Sequence, residues 1–275
     1  MVLRTPESAA GAAGLTAILD RPQEASLAFD FDGVLSPIVA DPRLSRPYPG
    51  VMAALGRLTE LVGSVSIITG RPVADVLRLG DLGELAALEP FSIFGLYGMQ
   101  RWDRAGRVVV SEPVPAGVAG ARGELPALLD AVGEPGVTVE DKAMSVAVHT
   151  RRADDPHRAF AALQGPLREL AGRHGLALEP GRMVLELRPP GVDKGQALRA
   201  IVERHGARAV AYFGDDLGDL AAFDAVERLR ETGVAGLKVC SGSDEVPRLA
   251  ARADLIVDGP PGVLEFVEGL NERLN

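Results

Sequence analysis

"SLAFDFDGVLSPIV", residues 26–39, sets two acids, Asp30 and Asp32, inside an otherwise apolar run. Leu27, Ala28, Phe29 and Phe31 suit a strand buried on both faces of a sheet, where a lone carboxylate is costly to bury. Gly33 lets the chain turn sharply out of such a strand. The two acids then have two readings. They are solvated turn residues, or they point into one site, since side chains two apart on an extended backbone face the same way.

Outward from this stretch, helix-like and strand-like segments alternate. "GVMAALGRLTELV", a helix from Pro72, "DKGQALRAIVERHG" and "LGDLAAFDAVERLRE" read as helices, while "SVSIIT", "FSIFGLYG", "RVVVSEP" (residues 107–113), "ARAVAYFG" and "AGLKVCSG" read as strands. That alternation predicts an α/β fold, a parallel sheet with helices on both faces. The middle differs. "ELPALLDAVG", "GVTVEDKAMSVAVHTR", "DPHRAFAALQGPLRELAGRHG" and the pair "LALEP" and "MVLELRPP" run helix, hairpin, helix, hairpin. An α+β unit over residues 113–189 is expected there, inserted between core segments 1–112 and 190–275.

Lys+Arg number 29 against 38 Asp+Glu, a formal net charge of −9, which disfavours nucleic acid or an anionic membrane as partner. A phosphorylated substrate must then be held by local cations or a metal. Cys240 is the single cysteine, so no intrachain disulfide forms; it ends an apolar stretch and reads as a strand residue. No apolar span is long enough to cross a bilayer, and a soluble cytoplasmic protein is expected.

Ligands of open parallel sheets bind beyond the carboxyl ends of the strands, and four polar clusters sit at such ends. The first is Asp30 with Asp32. In "SIITGRP", Thr69 either N-caps the following helix or joins helix N–H groups in holding a phosphate. In "PPGVDKGQAL", Asp193 suits an N-cap, and Lys194 then meets an unfavourable helix dipole; it is a tolerated surface lysine or an ammonium fixed beside carboxylates. In "AYFGDDLGDL", Asp215, Asp216 and Asp219 follow a strand, and Asp216 also suits a cap. Asp30, Asp32, Asp215 and Asp219 crowded at one edge would repel one another unless a cation holds them. All are hard oxygen donors with no histidine among them, which points to Mg²⁺.

"DFDGVL", "TGR", "DKG" and "GDDLGD", in that order, resemble the four motifs of the haloacid-dehalogenase (HAD) superfamily of phosphohydrolases. With "EDKAMSVAVHTR" and "LELRPPGVDKGQAL", the chain from about residue 26 to about residue 258 is similar to the trehalose-6-phosphate phosphatases. The resemblance implies an HAD-like Rossmannoid core with a C2B-type cap. It implies Asp30 as nucleophile forming a phosphoaspartyl intermediate, Asp32 as general acid and base, and Thr69 and Lys194 on the phosphoryl oxygens. Mg²⁺ would be held by Asp30, the Asp32 carbonyl and Asp215, with Asp216 or Asp219 acting through water or behind the ligands. Arg71, Glu140, Lys142, Arg151 and Glu186 would bind the substrate, trehalose 6-phosphate, and a functional link to a trehalose-6-phosphate synthase follows.

Read without the family, Glu140 and Lys142 are a solvated ion pair on one strand face. His149 reads as structural, and His157, His174 and His205 as exposed helical residues. Val34, Tyr97, Gly218 and Leu220 depart from the family pattern of Thr, His, Thr and Glu. The rival readings are a phosphatase for sucrose phosphate or a pseudo-disaccharide phosphate, an inactive regulatory partner of a sugar-phosphate synthase, and a phosphorelay receiver, which the insertion and Asp32 disfavour.

Overall fold

In the computed structural model, which describes residues 3–39, 41–80, 82, 91–103, 109–111, 113–181, 183–242 and 247–275, the opening apolar run forms β1 (Ala25–Phe29). The strand is buried throughout because it alternates between two apolar layers, Leu27 and Phe29 entering one and Ala28 the other. To one side, β2 (Ser64–Ile68) and β3 (Phe91–Gly95) continue parallel, followed by antiparallel β4 (Gln100–Asp103) and β5 (Val110–Ser111). Of the strand expected over residues 107–113, residues 107, 108 and 112 lie outside the described residues.

The second unit supplies the next four strands: β6 (Thr138–Asp141), β7 (Val146–His149), β8 (Ala177–Gly181) and β9 (Val184–Arg188). On the other side of β1 lie β10 (Ala209–Gly214), β11 (Ala235–Ser241) and β12 (Leu255–Val257), all parallel. The chain winds outward in opposite directions from β1 and β10, so the gap above their carboxyl ends is the topological switch point of the sheet. Phe29 and Phe213 stack beneath it at 4.3 Å between centroids, a contact worth about 0.5–1.5 kcal/mol beyond its buried area.

Helices α1 (Ala9–Asp20), α2 (Val51–Leu61), α3 (Val73–Leu79) and α9 (Gly259–Leu274) cover one face. Helices α6 (Lys194–His205), α7 (Leu220–Glu231) and α8 (Pro247–Ala250) cover the other. Trp102 is buried at the antiparallel edge, edge-on to Phe91.

The chain divides into two compact units, Met1–Ser111 with Asp193–Asn275, and Glu112–Val192. In the second, the antiparallel sheet has order β6-β7-β9-β8. Helices α4 (Ala116–Val132) and α5 (Pro156–Arg173) bury Leu125, Leu163, Leu167 and Leu170 against Val146, Val148, Leu185 and Leu187. Directly opposed residues share a face, so Glu140, Ala147, Glu186 and Glu179 form a row on the side away from those helices. Among the described residues no helix is long and apolar enough to cross a membrane.

Candidate active site

The chain leaves β1 at Asp30, whose N–H still donates to the Phe213 carbonyl at 2.9 Å. This extra rung fixes the carboxylate at the switch point. Lys194 is the first residue of α6, which Asp193 caps by accepting the Gln196 N–H at 2.7 Å. The ammonium thus sits at the unfavourable end of the helix dipole and is buried, yet it is compensated. Its Nζ donates to Asp30 Oδ2 at 2.6 Å and to Asp219 Oδ1 at 2.7 Å. Burial opposes its charge, but Asp219 and Asp30 outweigh burial and hold Lys194 protonated, well above the usual lysine range.

Asp219 is fully buried and saturated. Oδ1 accepts from Lys194 and from the Tyr212 hydroxyl at 2.6 Å, and Oδ2 accepts the N–H groups of Asp215 and Asp216 at 2.8 and 3.1 Å. Burial, then Asp219, holds the Tyr212 phenol above its ordinary range, so it acts as a donor. Asp216 is exposed and caps the turn Leu217–Asp219, taking the Gly218 N–H at 2.8 Å. Asp215 sits where Gly33 passes: a Cβ on Gly33, whose φ is +75°, would lie 2.0 Å from Asp215 Oδ2. Glycine is required there on both counts. The Ser241 hydroxyl, at the end of β11, holds this turn by donating to the Gly33 carbonyl at 2.6 Å.

Carboxylate oxygens of Asp30, Asp215 and Asp219 lie within 4.8 Å of one another. Burial pushes the pKa of Asp30 and of Asp215 well up; Lys194 offsets part of this at Asp30, while at Asp215 Asp219 and the other neighbouring acids each add more than Lys194 removes. One ammonium among these buried carboxylates leaves an excess of negative charge, and an all-oxygen donor set suits a hard divalent cation. Asp219 is already occupied by protein donors, so Asp30 and Asp215 are the side chains that fit an ion.

Asp32 is clamped instead. Arg71 Nε and an Arg71 terminal nitrogen donate to its two oxygens at 2.6 and 2.7 Å, and Ser45 Oγ, itself bonded to Ser36, approaches at 3.2 Å. The Arg71 guanidinium also lies over the Phe31 ring. Thr69 is buried, and of its two sequence readings the cap of α3 is not the one formed: Pro72 holds the N-cap position, and Thr69 Oγ1 accepts the Arg71 N–H at 3.1 Å. The reason is that Gly70 and Arg71 intervene as a separate turn, tied to the segment after β3 by Leu96 N–H to the Arg71 carbonyl and Tyr97 N–H to the Thr69 carbonyl.

In the second unit, β6 ends at Asp141, so Lys142 lies in the turn rather than on the strand. The solvated ion pair that the spacing of Glu140 and Lys142 suggests without the family gives way to two separate contacts. Glu140 meets His149 Nε2 across the hairpin at 2.8 Å, while Lys142 reaches Glu186 at 3.0 Å. Glu186 is buried and also accepts from Ser145 Oγ at 2.5 Å. Burial works against its ionisation, but Lys142, Ser145 and Arg188 together hold it below the usual glutamate value. Arg151 is exposed in the turn after β7. His174 ends α5 and packs half-buried against Glu124, not exposed as read from the sequence.

A family model for trehalose-phosphatase matches residues 28–255. The chain belongs to the trehalose-phosphatase family. Among trehalose-phosphatase relatives, a trehalose-phosphate phosphatase of Mycolicibacterium paratuberculosis is 38% identical over 258 residues, covering 90% of this chain and 62% of that protein. One of Mycobacterium leprae is 34% identical over 274 residues, covering 95% and 61%. The chain therefore spans less than two thirds of the length of these relatives. Of solved structures, the C-terminal domain of a Candida albicans trehalose-6-phosphate phosphatase aligns with TM-score 0.76 at 21% identity over 99% of each chain. A haloacid dehalogenase-like hydrolase from Bacteroides thetaiotaomicron aligns with TM-score 0.63 at 16% identity, over 89% of this chain and 98% of that one. The HAD-like α/β fold expected from the motifs is borne out.

Tyr212, Ser45 and Ser145 escaped the sequence reading. Each is a single hydroxyl in an apolar or loop segment, and its partner is fixed by tertiary register. The available signal was that Tyr212 stands in an otherwise apolar strand just before Asp215, where a buried phenol needs a partner.

Proposed function

We propose that this chain is a Mg²⁺-dependent phosphatase that hydrolyses trehalose 6-phosphate to trehalose and phosphate, as the last step of trehalose biosynthesis. The observation that carries the reading is the buried Asp30–Lys194–Asp219 array beside Asp215 at the switch point of a trehalose-phosphatase-family chain.

An Asp30 oxygen attacks phosphorus as the bond from phosphorus to the sugar oxygen breaks, leaving a phosphoaspartyl group. Asp32 gives its proton to the departing sugar oxygen. It then takes a proton from the water that attacks the same phosphorus, which releases phosphate and restores Asp30. Because Arg71 occupies both Asp32 oxygens, proton transfer requires that clamp to open, and the incoming phosphoryl group offers Arg71 an alternative anion. Thr69 and Lys194 hold the phosphoryl oxygens. Asp30, the Asp32 carbonyl and Asp215 would hold Mg²⁺, with Asp216 or Asp219 acting through water or behind the ligands; when bound, the ion would neutralise charge on the transferred group.

The unit Glu112–Val192 is assigned as the C2B-type cap, with Glu140, Lys142, Arg151 and Glu186 recognising sugar hydroxyls and phosphate. A cytoplasmic location and a functional link to a trehalose-6-phosphate synthase complete the proposal. The test is phosphate release from trehalose 6-phosphate, sucrose phosphate and simpler sugar phosphates, each with Mg²⁺ and with EDTA. Release from trehalose 6-phosphate above the others, abolished by EDTA, is expected; preference for another sugar phosphate overturns the substrate assignment.

A further inference from the structure

We infer that Tyr212 is a positioning residue of the phosphoryl-transfer centre: its hydroxyl orients the Asp219 carboxylate, and through it sets where Lys194 holds its ammonium. The inference rests on the phosphatase reading above and adds to it a residue that makes no contact with substrate.

Tyr212 lies on β10 opposite Ala28 of β1, within the apolar layer beneath α6 and α7. It is fully buried, and its ring stands edge-on to Phe223 at 6.3 Å and 86°. Leu198, Ile201, Phe223 and Val226 make up this layer, where a phenylalanine would pack as well. The hydroxyl is therefore the feature that needs a reason, because burying it costs free energy unless it is bonded. It donates at 2.6 Å to Asp219 Oδ1, the oxygen that also accepts from Lys194. Backbone N–H groups of Asp215 and Asp216 pin Oδ2. With both oxygens held, the carboxylate cannot rotate, and Lys194 remains shared between Asp219 and Asp30 Oδ2. Without the phenol, Oδ1 has Lys194 as its remaining donor among these, and the ammonium is drawn toward Asp219, away from Asp30 and the transferred group.

The test compares wild type, Tyr212→Phe and Phe223→Leu. Four quantities are measured: kcat and KM for trehalose 6-phosphate, the thermal unfolding temperature, and affinity for beryllium fluoride, an acyl-phosphate mimic, with Mg²⁺. Tyr212→Phe should fold, lose on the order of tenfold in kcat with KM changed by less than about twofold, and bind beryllium fluoride correspondingly more weakly. Phe223→Leu removes the ring's edge contact; it should lower the unfolding temperature and leave kcat within about twofold. Wild-type kcat and beryllium fluoride affinity in Tyr212→Phe overturn the inference. So does a loss of kcat that follows the loss of unfolding temperature alike in both variants. If wild type releases no phosphate from trehalose 6-phosphate, the substrate reading fails, and beryllium fluoride binding alone decides the role of Tyr212.

Discussion

Lys194 Nζ lies 2.6 Å from Asp30 Oδ2, although 164 positions separate the two residues and the whole second unit intervenes between them in sequence. Asp30 comes from a strand end and Lys194 from a helix start, both at the switch point, and their contact is desolvated. Breaking such a buried pair from one side typically costs about 3–5 kcal/mol.

Lys194→Met should therefore abolish most turnover and unfold at lower temperature, with a definite pH dependence in metal-free buffer. The Asp30 and Asp215 pKa values are already raised by burial, and losing the ammonium raises that of Asp30 further. Groups with raised folded-state pKa contribute stability at low pH that disappears as pH rises through that value. Lys194 itself, raised above the lysine range, stays charged across neutral pH. The gap in unfolding temperature between wild type and variant should widen from pH 5 to pH 8; a constant gap would argue against carboxylate crowding.

Asp32→Asn should depend on the leaving group. An aryl phosphate leaves with little need of a proton, whereas a sugar alkoxide needs one. Rapid-quench rates of enzyme phosphorylation should fall by on the order of 10²–10⁴ with trehalose 6-phosphate and far less with an aryl phosphate. Equal losses with both would remove Asp32 from the acid role.

Glu186 supports two measurements. Its carboxyl is held below the ordinary glutamate value, so its pairing with Lys142 stabilises the protein above about pH 4.3 and is lost as pH falls through the lowered value. The unfolding-temperature difference between wild type and Glu186→Gln should then shrink as pH drops below that point. In turnover, Glu186→Ala and Glu140→Ala should each lower kcat/KM for trehalose 6-phosphate by about ten- to a hundredfold and spare an aryl phosphate that lacks the sugar. Parallel losses on both substrates would instead assign these residues to folding.

Cys240 is buried at the end of β11, and burial, followed by Asp215 and Asp219, pushes its thiol up to about 11. The thiolate is the reactive form, so native protein should resist iodoacetamide at pH 8 and react on unfolding. Rapid labelling of folded protein would contradict the burial.

The buried array of Asp30, Lys194, Asp215 and Asp219 was largely legible in the sequence as a candidate site because each member sits at an element end within a short local pattern. Asp30 follows an apolar run, Lys194 follows a cap residue, and Asp215 and Asp219 are spaced about one helical turn apart. What escaped depends on which strand lies beside which. The spacing of Glu140 and Lys142 suggested a pair, but the hairpin brings His149 to one and β9 brings Glu186 to the other. Arg71 entered through the family resemblance as a substrate-binding residue; that it grips Asp32 follows from β1 and β2 being adjacent and in register. Tyr212 reads as one more apolar strand residue until β10 and the turn at Asp219 are folded against each other.

The most direct measurement is acid-quenched single turnover with trehalose 6-phosphate carrying a radiolabelled phosphoryl group, for wild type and Asp30→Asn. Wild type should trap label on the chain in a linkage that hydroxylamine cleaves, as an acyl phosphate requires, and release phosphate as the label decays. Asp30→Asn should remain folded, trap no label and release almost no phosphate. Phosphate release by Asp30→Asn at the wild-type rate, or wild-type turnover with no label ever trapped, would contradict Asp30 as the nucleophile.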